Sequence, residues 1–365
     1  MSLMAPFTLP RTGTVLRNRT VLAARTNKQS AADGTLSDDE IGWLLRRAEG
    51  GFGVVTTAAT HVHPSGQGWP GEMGVWGDHH LPGLGRLAAG LRARGASSLA
   101  QIFHGGLRAP RALTGQQPVS ASRNEGKEGA EASRALTHVE VEALVESFSL
   151  AASRCEQAGF DGVEVHGAHG YLICQFLGTR TNRRTDCWGG DLAGRSRFLC
   201  EIIRAIRART RPDFLVWVRI SPQLHAMGVS LEDSLLLAAQ MAEMEVDALH
   251  ISCWDAFAGA PDEPDDPRTL TRRFRDVLPE GFPLVSTGGV WTRDDASFVL
   301  GEGADLVGVA RAGIGHPDWP RLLDAGAGTP ARPPFTPDHL RAAGLSDPFI
   351  EYMRRWDGFV TDETP

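Results

Sequence analysis

Two histidines and a tyrosine stand within six residues of one another, at His166, His169 and Tyr171. A neutral imidazole can donate a hydrogen bond to a carbonyl or nitro oxygen, and two imidazoles on one oxygen stabilise negative charge that develops there. A phenol hydroxyl that is held in place is a competent general acid. A lone histidine is most often a packing residue, but this pair beside Tyr171 favours a catalytic site.

A second set of histidines raises the alternative of a metal site. His61 and His63 have an HxH spacing, and with His104, His166 and His169 they would offer imidazole ligands for a zinc-dependent barrel hydrolase. No carboxylate at a strand end completes such a ligand set. We therefore predict that the protein has no metal site.

Lysine and cysteine usage argues against two further chemistries. Lys28 and Lys127 are the only lysines, and neither falls at a strand end facing a desolvated pocket, as a Schiff-base enzyme requires. The cysteines show no CxxC spacing, which argues against zinc knuckles and iron–sulfur clusters, and their odd number is typical of reduced thiols. We predict structural roles for all of them: Cys155, Cys174, Cys187, Cys200 and Cys253.

Length and charge narrow the class of partner. The 365 residues are 42% apolar, enough for one large core, and 37 basic against 44 acidic side chains give a net charge of −7. The absence of a basic stripe argues against nucleic acid and anionic membranes. We expect a cytoplasmic enzyme acting on a small molecule, because neither a membrane span nor the apolar core of a signal peptide is present. A homo-oligomer is compatible with these features.

Short β-rich runs alternate with amphipathic stretches from end to end, which predicts parallel strands joined by helices. Eight such units without a solenoid repeat favour a single closed (β/α)₈ TIM barrel, and no GxGxxG follows the first strand. The predicted strands are residues 21–26, 53–59, 98–103, 162–166, 215–220, 248–252, 284–287 and 306–310. The predicted helices include residues 38–49, 138–157, 192–209, 231–244 and 292–300.

Three segments fall outside this repeat, within one predicted domain over residues 1–365. Residues 5–15 read as an N-terminal hairpin that plugs the bottom of the barrel. Residues 105–136 are polar, rich in Gly, Pro and Ser, and too long for a simple connection, so they are a candidate lid. Residues 331–365 form a C-terminal extension, predicted as a helix and a strap packed on the barrel.

The residues after the fourth predicted strand carry a long ordered pattern. It runs HGAHGYL from His166, then QFL, then TNRRTDCWGGDLAGRSRFL from Thr181. This pattern resembles the signature of the old yellow enzyme family, and the resemblance extends over residues 6–360. The missing cysteine cluster and the chain's end near residue 365 argue against the larger iron–sulfur relatives. The resemblance implies a barrel that binds FMN and passes hydride from NAD(P)H to an activated alkene, such as an enone or a nitroalkene.

The resemblance also implies roles for individual residues. His166 and His169 would bind the activating oxygen, and Tyr171 would protonate the α-carbon of the alkene. Arg219 would lie beside N1 and the C2 carbonyl of the flavin, where a fixed cation stabilises the reduced form. The other flavin-contacting positions carried over are Ala24, Arg25, Thr26, Ala59, Gln101, Gly288, Gly289, Ala310 and Arg311. In that set, Gln101 pairs with the pyrimidine edge and Arg311 with the phosphate.

Three positions depart from the family pattern. Arg25 stands in the first-strand motif where the family has an apolar residue, and it would either raise the flavin potential or turn away into a salt bridge. Leu107 replaces the arginine of the usual His-x-Gly-Arg, with Arg108 next to it, and Ala310 replaces a glycine. Substrate binding would depend on the candidate lid and on rim residues such as Trp69, Trp188 and Trp254.

The same site also admits other functions. An oxidase or demethylase that takes hydride from a substrate C–H bond would use the same His and Tyr positions. A non-catalytic binding module is disfavoured, because a barrel that keeps a buried arginine and a His/His/Tyr set maintains groups that are costly without a ligand. The choice between NADH and NADPH stays open, because the chain has no separate dinucleotide domain.

Overall fold

A closed barrel of eight parallel strands forms the centre of the protein. The computed structural model describes residues 2–126, 129–326 and 328–362. The strands follow one another around the barrel in chain order, and helices connect them, which confirms the predicted TIM barrel. The barrel strands are β3 Thr20–Leu22, β4 Val54–His61, β5 Ser97–Phe103, β8 Gly162–Gly167, β9 Leu215–Ile220, β10 Ala248–Ser252, β11 Leu284–Thr287 and β12 Leu306–Val309.

Four short strands lie outside the barrel, as an antiparallel pair and a parallel pair: β1 Phe7–Thr8, β2 Val15–Leu16, β6 Val119–Ser120 and β7 Arg134–Ala135. The helices are α1 Asp38–Glu49, α2 Leu81–Ala93, α3 Arg111–Thr114, α4 His138–Ala158, α5 Leu172–Leu177, α6 Leu192–Arg209, α7 Leu231–Ala242, α8 Leu270–Val277, α9 Arg293–Gly301, α10 Arg311–Gly315, α11 Trp319–Ala325, α12 Pro337–Ala342 and α13 Asp347–Met353.

Helix boundaries follow from capping residues. Ser37 accepts a hydrogen bond from the Glu40 amide at the start of α1, and Thr137 and Glu140 form a reciprocal capping box at the start of α4. Gly159 ends α4 with a φ of 92°, a conformation that glycine adopts without strain. The predicted ranges 38–49 and 192–209 match the structure, whereas α7 ends two residues before the predicted residue 244.

The first barrel strand is shorter than predicted. It ends at Leu22, and the Ala23 amide makes the last ladder hydrogen bond, 2.9 Å to the Val309 carbonyl. The chain then leaves the sheet, so Arg25 and Thr26 belong to a loop. The predicted strand, residues 21–26, wrongly included them. This early exit allows both side chains to reach the end of the barrel.

Apolar side chains fill the lower part of the barrel interior. They include Val21, Leu99, Trp217 and Val285, all buried. Leu9 and Leu16 of the N-terminal hairpin are fully buried against the same cluster, and Phe7 packs beside them. The hairpin therefore packs its apolar side chains against the lower cluster of the barrel.

The C-terminal extension is fixed to the barrel by a buried arginine. Arg47 of α1 donates hydrogen bonds to the carbonyl oxygens of Trp43, Gly313, Ile314 and Ala343, at 2.9–3.1 Å. The extension forms two helices, α12 and α13, where the sequence predicted one helix and a strap. Among the described residues, no helix combines the length and the apolar character needed to span a bilayer.

Candidate functional site

A cavity of about 360 Å³ opens at the C-terminal ends of the barrel strands. Its walls come from strand ends and from the loops that follow them, the usual position of active sites in this fold. Every residue predicted to be catalytic or to contact the cofactor lines this one cavity: Ala24, Arg25, Thr26, Ala59, Gln101, His166, His169, Tyr171, Arg219, Gly288, Gly289, Ala310 and Arg311.

The three predicted catalytic side chains form a compact group. The ring centroids of His166 and His169 are 5.0 Å apart, and those of His166 and Tyr171 are 5.2 Å apart. Phe103 packs edge-on against Tyr171 at 5.0 Å. A single atom of a ligand can therefore lie within reach of all three polar side chains.

A strained turn brings His169 back over the barrel. His169 has a φ of 61°, and Gly170 follows with a φ of 76°. The left-handed region costs a residue with a Cβ on the order of 1 kcal/mol, so such residues persist only where their surroundings fix them. The backbone amide of His169 donates to the Ser221 hydroxyl, and its Nε2 lies 2.7 Å from the Ser252 hydroxyl.

Both imidazoles are neutral at physiological pH. Burial, reinforced by the charge of Arg219, lowers the pKa of His166 to about 3 and that of His169 well below its usual value. Nδ1 of His166 is buried without a partner, so a neutral ring carries its proton more favourably on Nε2, which can donate into the cavity. Ser252 accepts from Arg219 at 2.9 Å, and its own proton is free to point at Nε2 of His169. Nδ1–H of His169 then remains available to a ligand.

Tyr171 is held in its protonated form. Burial raises its pKa to about 12, against the opposing charges of Arg108 and Arg355. The Arg108 guanidinium lies 4.6 Å from the centre of the Tyr171 ring. A phenol with a raised pKa retains its proton until a strongly basic carbon or oxygen centre develops next to it.

Three arginines that line the cavity, Arg25, Arg219 and Arg311, make no ion pair among the described residues. Burial, and then the charges of Arg219 and Arg311, lower the pKa of Arg25 to about 10, so Arg25 remains cationic at neutral pH. The Nε atoms of Arg25 and Arg219 are buried and unpaired. In the described part of the chain Arg25 has no ion pair, which contradicts the salt-bridge alternative. Converging cations are costly unless an anion binds between them.

A chain of buried polar groups lies beneath the cavity. Gln101 donates 2.7 Å to Glu164, Glu164 contacts Nδ1 of His250 at 2.5 Å, and Nε2 of His250 contacts the Thr287 hydroxyl at 2.6 Å. Burial opposes the ionisation of Glu164, but His250, Arg219 and Gln101 outweigh it and hold its pKa at about 2. Because Gln101 gives its amide N–H to this carboxylate, its carbonyl oxygen is turned away from Glu164.

Small residues shape the remaining walls. A Cβ on Gly288 would come within 2.6 Å of the Cys253 carbonyl, and Gly289 has a φ of 71°. A Cβ on Gly308 would come within 1.6 Å of the Thr287 hydroxyl. A bulge in β4 shifts the register between Thr56 and Ala59, opposite Gln101. Gly288 and Gly308 are therefore required by close packing of the protein around the cavity.

Several lining residues were not predicted from the sequence. The C-terminal extension contributes Tyr352, Met353, Arg355 and Trp356, although it had been interpreted only as packing. The dense run of aromatic and arginine residues from 352 to 356 was the available signal. Trp188 was wrongly placed at the rim, because it is buried and donates to His138 at 2.8 Å.

The other residues predicted at the rim, and the cysteines, differ in where the structure places them. Trp254 lines the cavity and is 78% exposed, and Trp69 lies 6.2 Å from Tyr171 between ring centroids. Cys253 also lines the cavity, and Cys187 is exposed, whereas Cys155, Cys174 and Cys200 are buried.

The histidines considered for a metal site make other contacts. His61 lies 2.9 Å from Glu72, and His63 and His104 both contact Ser65. Residues 2–126, 129–326 and 328–362 contain no group of three or more His, Cys, Asp or Glu side chains placed to hold a metal ion. The arrangement of these residues therefore gives no support to a barrel hydrolase.

The fold and the cavity together define a TIM-barrel enzyme that binds an anionic ligand above a pair of neutral imidazoles. Residues 2–329 match the model of the NADH:flavin oxidoreductase / NADH oxidase family, and the chain belongs to that family. It is thus a flavin-dependent oxidoreductase of the old yellow enzyme type, with FMN as cofactor and a reduced nicotinamide as hydride donor.

Curated relatives agree with this assignment. The chain is 36% identical over 322 residues to a probable NADH-dependent flavin oxidoreductase, YqiG, of Bacillus subtilis, covering 87% of this chain and 86% of that protein. It is 34% identical to an NADH:fumarate oxidoreductase of Klebsiella pneumoniae, covering 89% of this chain and only 36% of the relative.

Solved structures share the fold. An old yellow enzyme homologue from Zymomonas mobilis superposes with a TM-score of 0.80 at 27% identity, covering 90% of this chain and 94% of the other. Morphinone reductase gives a TM-score of 0.79 at 27% identity, covering 93% and 92%.

The residues present fit FMN. FMN carries a phosphate monoester with up to two negative charges, which suits a cavity lined by the guanidinium groups of Arg25, Arg219 and Arg311. Gly288, Gly289 and Ala59 line the cavity with little or no side chain, which suits a flat ring system close to the backbone. When bound, FMN supplies the hydride transfer, taking hydride from the nicotinamide and passing it to the second substrate.

Proposed function

We propose that this enzyme reduces an activated alkene, with His166 and His169 binding the activating oxygen and Tyr171 protonating the α-carbon. In the overall reaction NAD(P)H is oxidised, a hydride adds to the β-carbon, and a proton adds to the α-carbon. The observation that carries this proposal is the compact group of two neutral imidazoles and one protonated phenol in a single cavity.

The two histidines act on the oxygen of the substrate. His166 can donate from Nε2 and His169 from Nδ1, because their other ring nitrogens are buried or occupied by Ser252. Two preorganised donors on a carbonyl or nitro oxygen stabilise the negative charge that develops there. Neutral rings serve this purpose, since their protons remain on nitrogen during the reaction.

Tyr171 completes the reaction. Its hydroxyl proton passes to the α-carbon, and the resulting phenolate is stabilised by Arg108 and Arg355, whose charges already oppose the effect of burial. Proton return from solvent would then restore the phenol. Residue 108 lies in the candidate lid, residues 105–136, which we propose covers the substrate because Arg108 contacts both Tyr171 and the His169 carbonyl.

We also propose how this chain's residues hold the cofactor. Arg311, at the first turn of α10, would bind the phosphate, and Arg219 with the carbonyl of Gln101 would bind the pyrimidine edge. Loop residues Ala24, Arg25 and Thr26 would complete the pocket on the side of the first barrel strand.

Relatives favour alkene reduction over the oxidase alternative. Similar proteins are named NADH:fumarate oxidoreductase, NADH:acrylate oxidoreductase and morphinone reductase, and each name denotes a reductase for an unsaturated compound. The first two are much longer than this chain, which covers 36% and 32% of them.

The decisive experiment separates the two halves of the reaction in Tyr171→Phe. Reduction of the bound flavin by NAD(P)H needs no proton donor at Tyr171, so its rate should stay near that of the unsubstituted enzyme. Reoxidation by an enone should slow by about 10²-fold or more, the scale of a positioned general acid. Nitroalkenes should be affected less, because a nitronate is stable enough to wait for a proton from solvent.

Stopped-flow absorbance of the flavin measures both halves. Phe103→Leu provides a matched control, since it alters the packing around Tyr171 while leaving the hydroxyl in place. Enone reoxidation in Tyr171→Phe at the unsubstituted rate would refute the proton-donor role. Loss of flavin reduction by both nicotinamides would show instead that Tyr171 binds the hydride donor.

A further inference from the structure

The cavity carries more positive charge than its cofactor explains. Among the described residues that line it are five arginines and no aspartate or glutamate: Arg25, Arg108, Arg219, Arg311 and Arg355. The proposed cofactor contacts use Arg219 and Arg311. Arg25 belongs to the same group, because the charges of both arginines lower its pKa. Arg108 and Arg355 remain, and they come from the two segments that border the mouth.

Arg108 is fixed next to the proposed proton donor. Its guanidinium lies 4.6 Å from the centre of the Tyr171 ring, and its Nη1 donates 2.9 Å to the His169 carbonyl. It makes no ion pair among the described residues. Stacking on the ring holds the guanidinium plane while leaving edge N–H groups free for a planar anion.

Arg355 approaches the same place from the C-terminal extension. Its guanidinium lies 5.2 Å from the ring centre of Tyr352 and 5.7 Å from that of Trp356. Arg108, Arg355 and Tyr171 line the same cavity, and the charges of both arginines lower the pKa of Tyr171 against the effect of burial. Neighbouring Arg354 behaves differently, because it pairs with Asp362 at 2.7 Å and Glu351 at 3.3 Å.

We propose that Arg108 and Arg355 form an anion subsite at the mouth of the cavity, and that the ligand reaching His166, His169 and Tyr171 carries a carboxylate or a phosphate group. This inference rests on the proposed alkene reduction and names its substrate class, an activated alkene with an anionic substituent. The same chemistry is offered by the phosphates of the nicotinamide dinucleotide, which must reach the same cavity.

The pair Arg108 and Arg355 favours an anionic ligand over a neutral one. An exposed arginine in water costs nothing. Arg108 and Arg355 make no ion pair within the described part of the chain and lie against aromatic rings, so together they raise the local concentration of anions. A neutral alkene would gain only the apolar contacts of Tyr352, Trp254 and Trp356. An anionic one would add a charge-assisted hydrogen bond from each guanidinium.

The test compares two alkenes that differ only in charge, 4-oxopent-2-enoate and its amide, with the FMN-loaded enzyme. The readout is the ratio of kcat/KM for the acid to kcat/KM for the amide, so general damage to the site cancels. We expect the enzyme to prefer the acid, and Arg108→Gln and Arg355→Gln each to lower the ratio about 10-fold. Arg354→Gln, the control, should leave the ratio unchanged.

A second arm locates the source of the anion. If the nicotinamide supplies it, the same two variants raise the dissociation constants of NADH or NADPH about 10-fold in the reductive half-reaction, and the acid-to-amide ratio stays constant. Either result supports the subsite. Equal responses of Arg108→Gln, Arg355→Gln and Arg354→Gln in both arms overturn it. Failure of every alkene to reoxidise the flavin would instead refute the proposed function.

Discussion

The two ends of the barrel are built from the same strands and differ sharply in polarity. On β9, the inward side chains change from Leu215 and Trp217 at the closed end to Arg219 at the open end. On β10, Ala248 belongs to the apolar cluster, whereas His250 and Ser252 are polar. Two residues along a strand span only about 6.6 Å. The change shows that stability and ligand binding are assigned to adjacent layers of one structure.

The largest expected effect is at the closed end. Leu16→Ala should lower the free energy of unfolding by about 2–5 kcal/mol, because it leaves a cavity in the fully buried cluster under the barrel. FMN affinity, measured by titration of the apoprotein below its melting temperature, should stay unchanged. Exposed Val15→Ala is the matched control on the same strand. A weaker FMN affinity in Leu16→Ala would show that the two layers are coupled.

At the open end, His166→Ala or His169→Ala should slow alkene-dependent reoxidation of the flavin by about 10²–10³-fold, equal to roughly 2.7–4 kcal/mol of lost oxyanion stabilisation. Both variants should also weaken the binding of phenols. Stopped-flow reoxidation and phenol titration measure these effects, and the exposed His225→Ala serves as control. Unchanged phenol binding in both variants would remove the pair from the site.

A smaller effect is expected at the predicted phosphate contact. Arg311→Ala should raise the dissociation constant of FMN about 10- to 100-fold, the scale of a hydrogen bond to a charged group. Ultrafiltration followed by absorbance of the released flavin gives the constant. Arg321→Ala, outside the cavity lining, should retain FMN. Retention at the unsubstituted affinity in Arg311→Ala would contradict the assignment.

The smallest effect concerns acid stability. The unfolded pKa of a histidine is about 6.5 and that of folded His166 is about 3, so below pH 6.5 the unfolded state binds the extra proton and the folded state does not. Stability is therefore lost as pH falls from 6.5 towards 3. At pH 5.5, His166 alone should lower the free energy of unfolding by about 1.4 kcal/mol relative to pH 8. Denaturant unfolding of the enzyme and of His166→Asn at both pH values tests this, and equal pH dependence would refute it.

The barrel could be predicted from the sequence because the patterns that indicate it involve residues close together in the chain. Apolar runs, capping residues such as Ser37, and the alternation of strand and helix all depend on near neighbours. Most site residues were predicted from the resemblance to the old yellow enzyme family, and their convergence was predictable because the C-terminal ends of parallel strands meet at one end of a barrel. The first strand was predicted too long because Ala24, Arg25 and Thr26 continue the chain without a glycine or proline to mark its exit from the sheet.

The remaining features depend on contacts between distant segments. Tyr352 and Arg355 reach the cavity because of the path that the C-terminal extension takes across the barrel. No local sequence pattern predicts that path. The pairing of Glu164 with His250 depends on which residues of β8 and β10 face inward at the same height. Trp188 was misplaced for the same reason, because its burial follows from its bond to His138 in a separate helix.

The guanidinium of Arg47 has a consequence for how the protein fluctuates. It bonds to carbonyls of Gly313 and Ile314 in α10 and of Ala343 after α12, so detaching the extension would leave N–H groups of a buried cation unpaired. Each such group costs about 1–3 kcal/mol. The extension and α10 should therefore open together as one cooperative unit. In native-state hydrogen exchange, amides of α13 and of α10 would then exchange with the same free energy of opening.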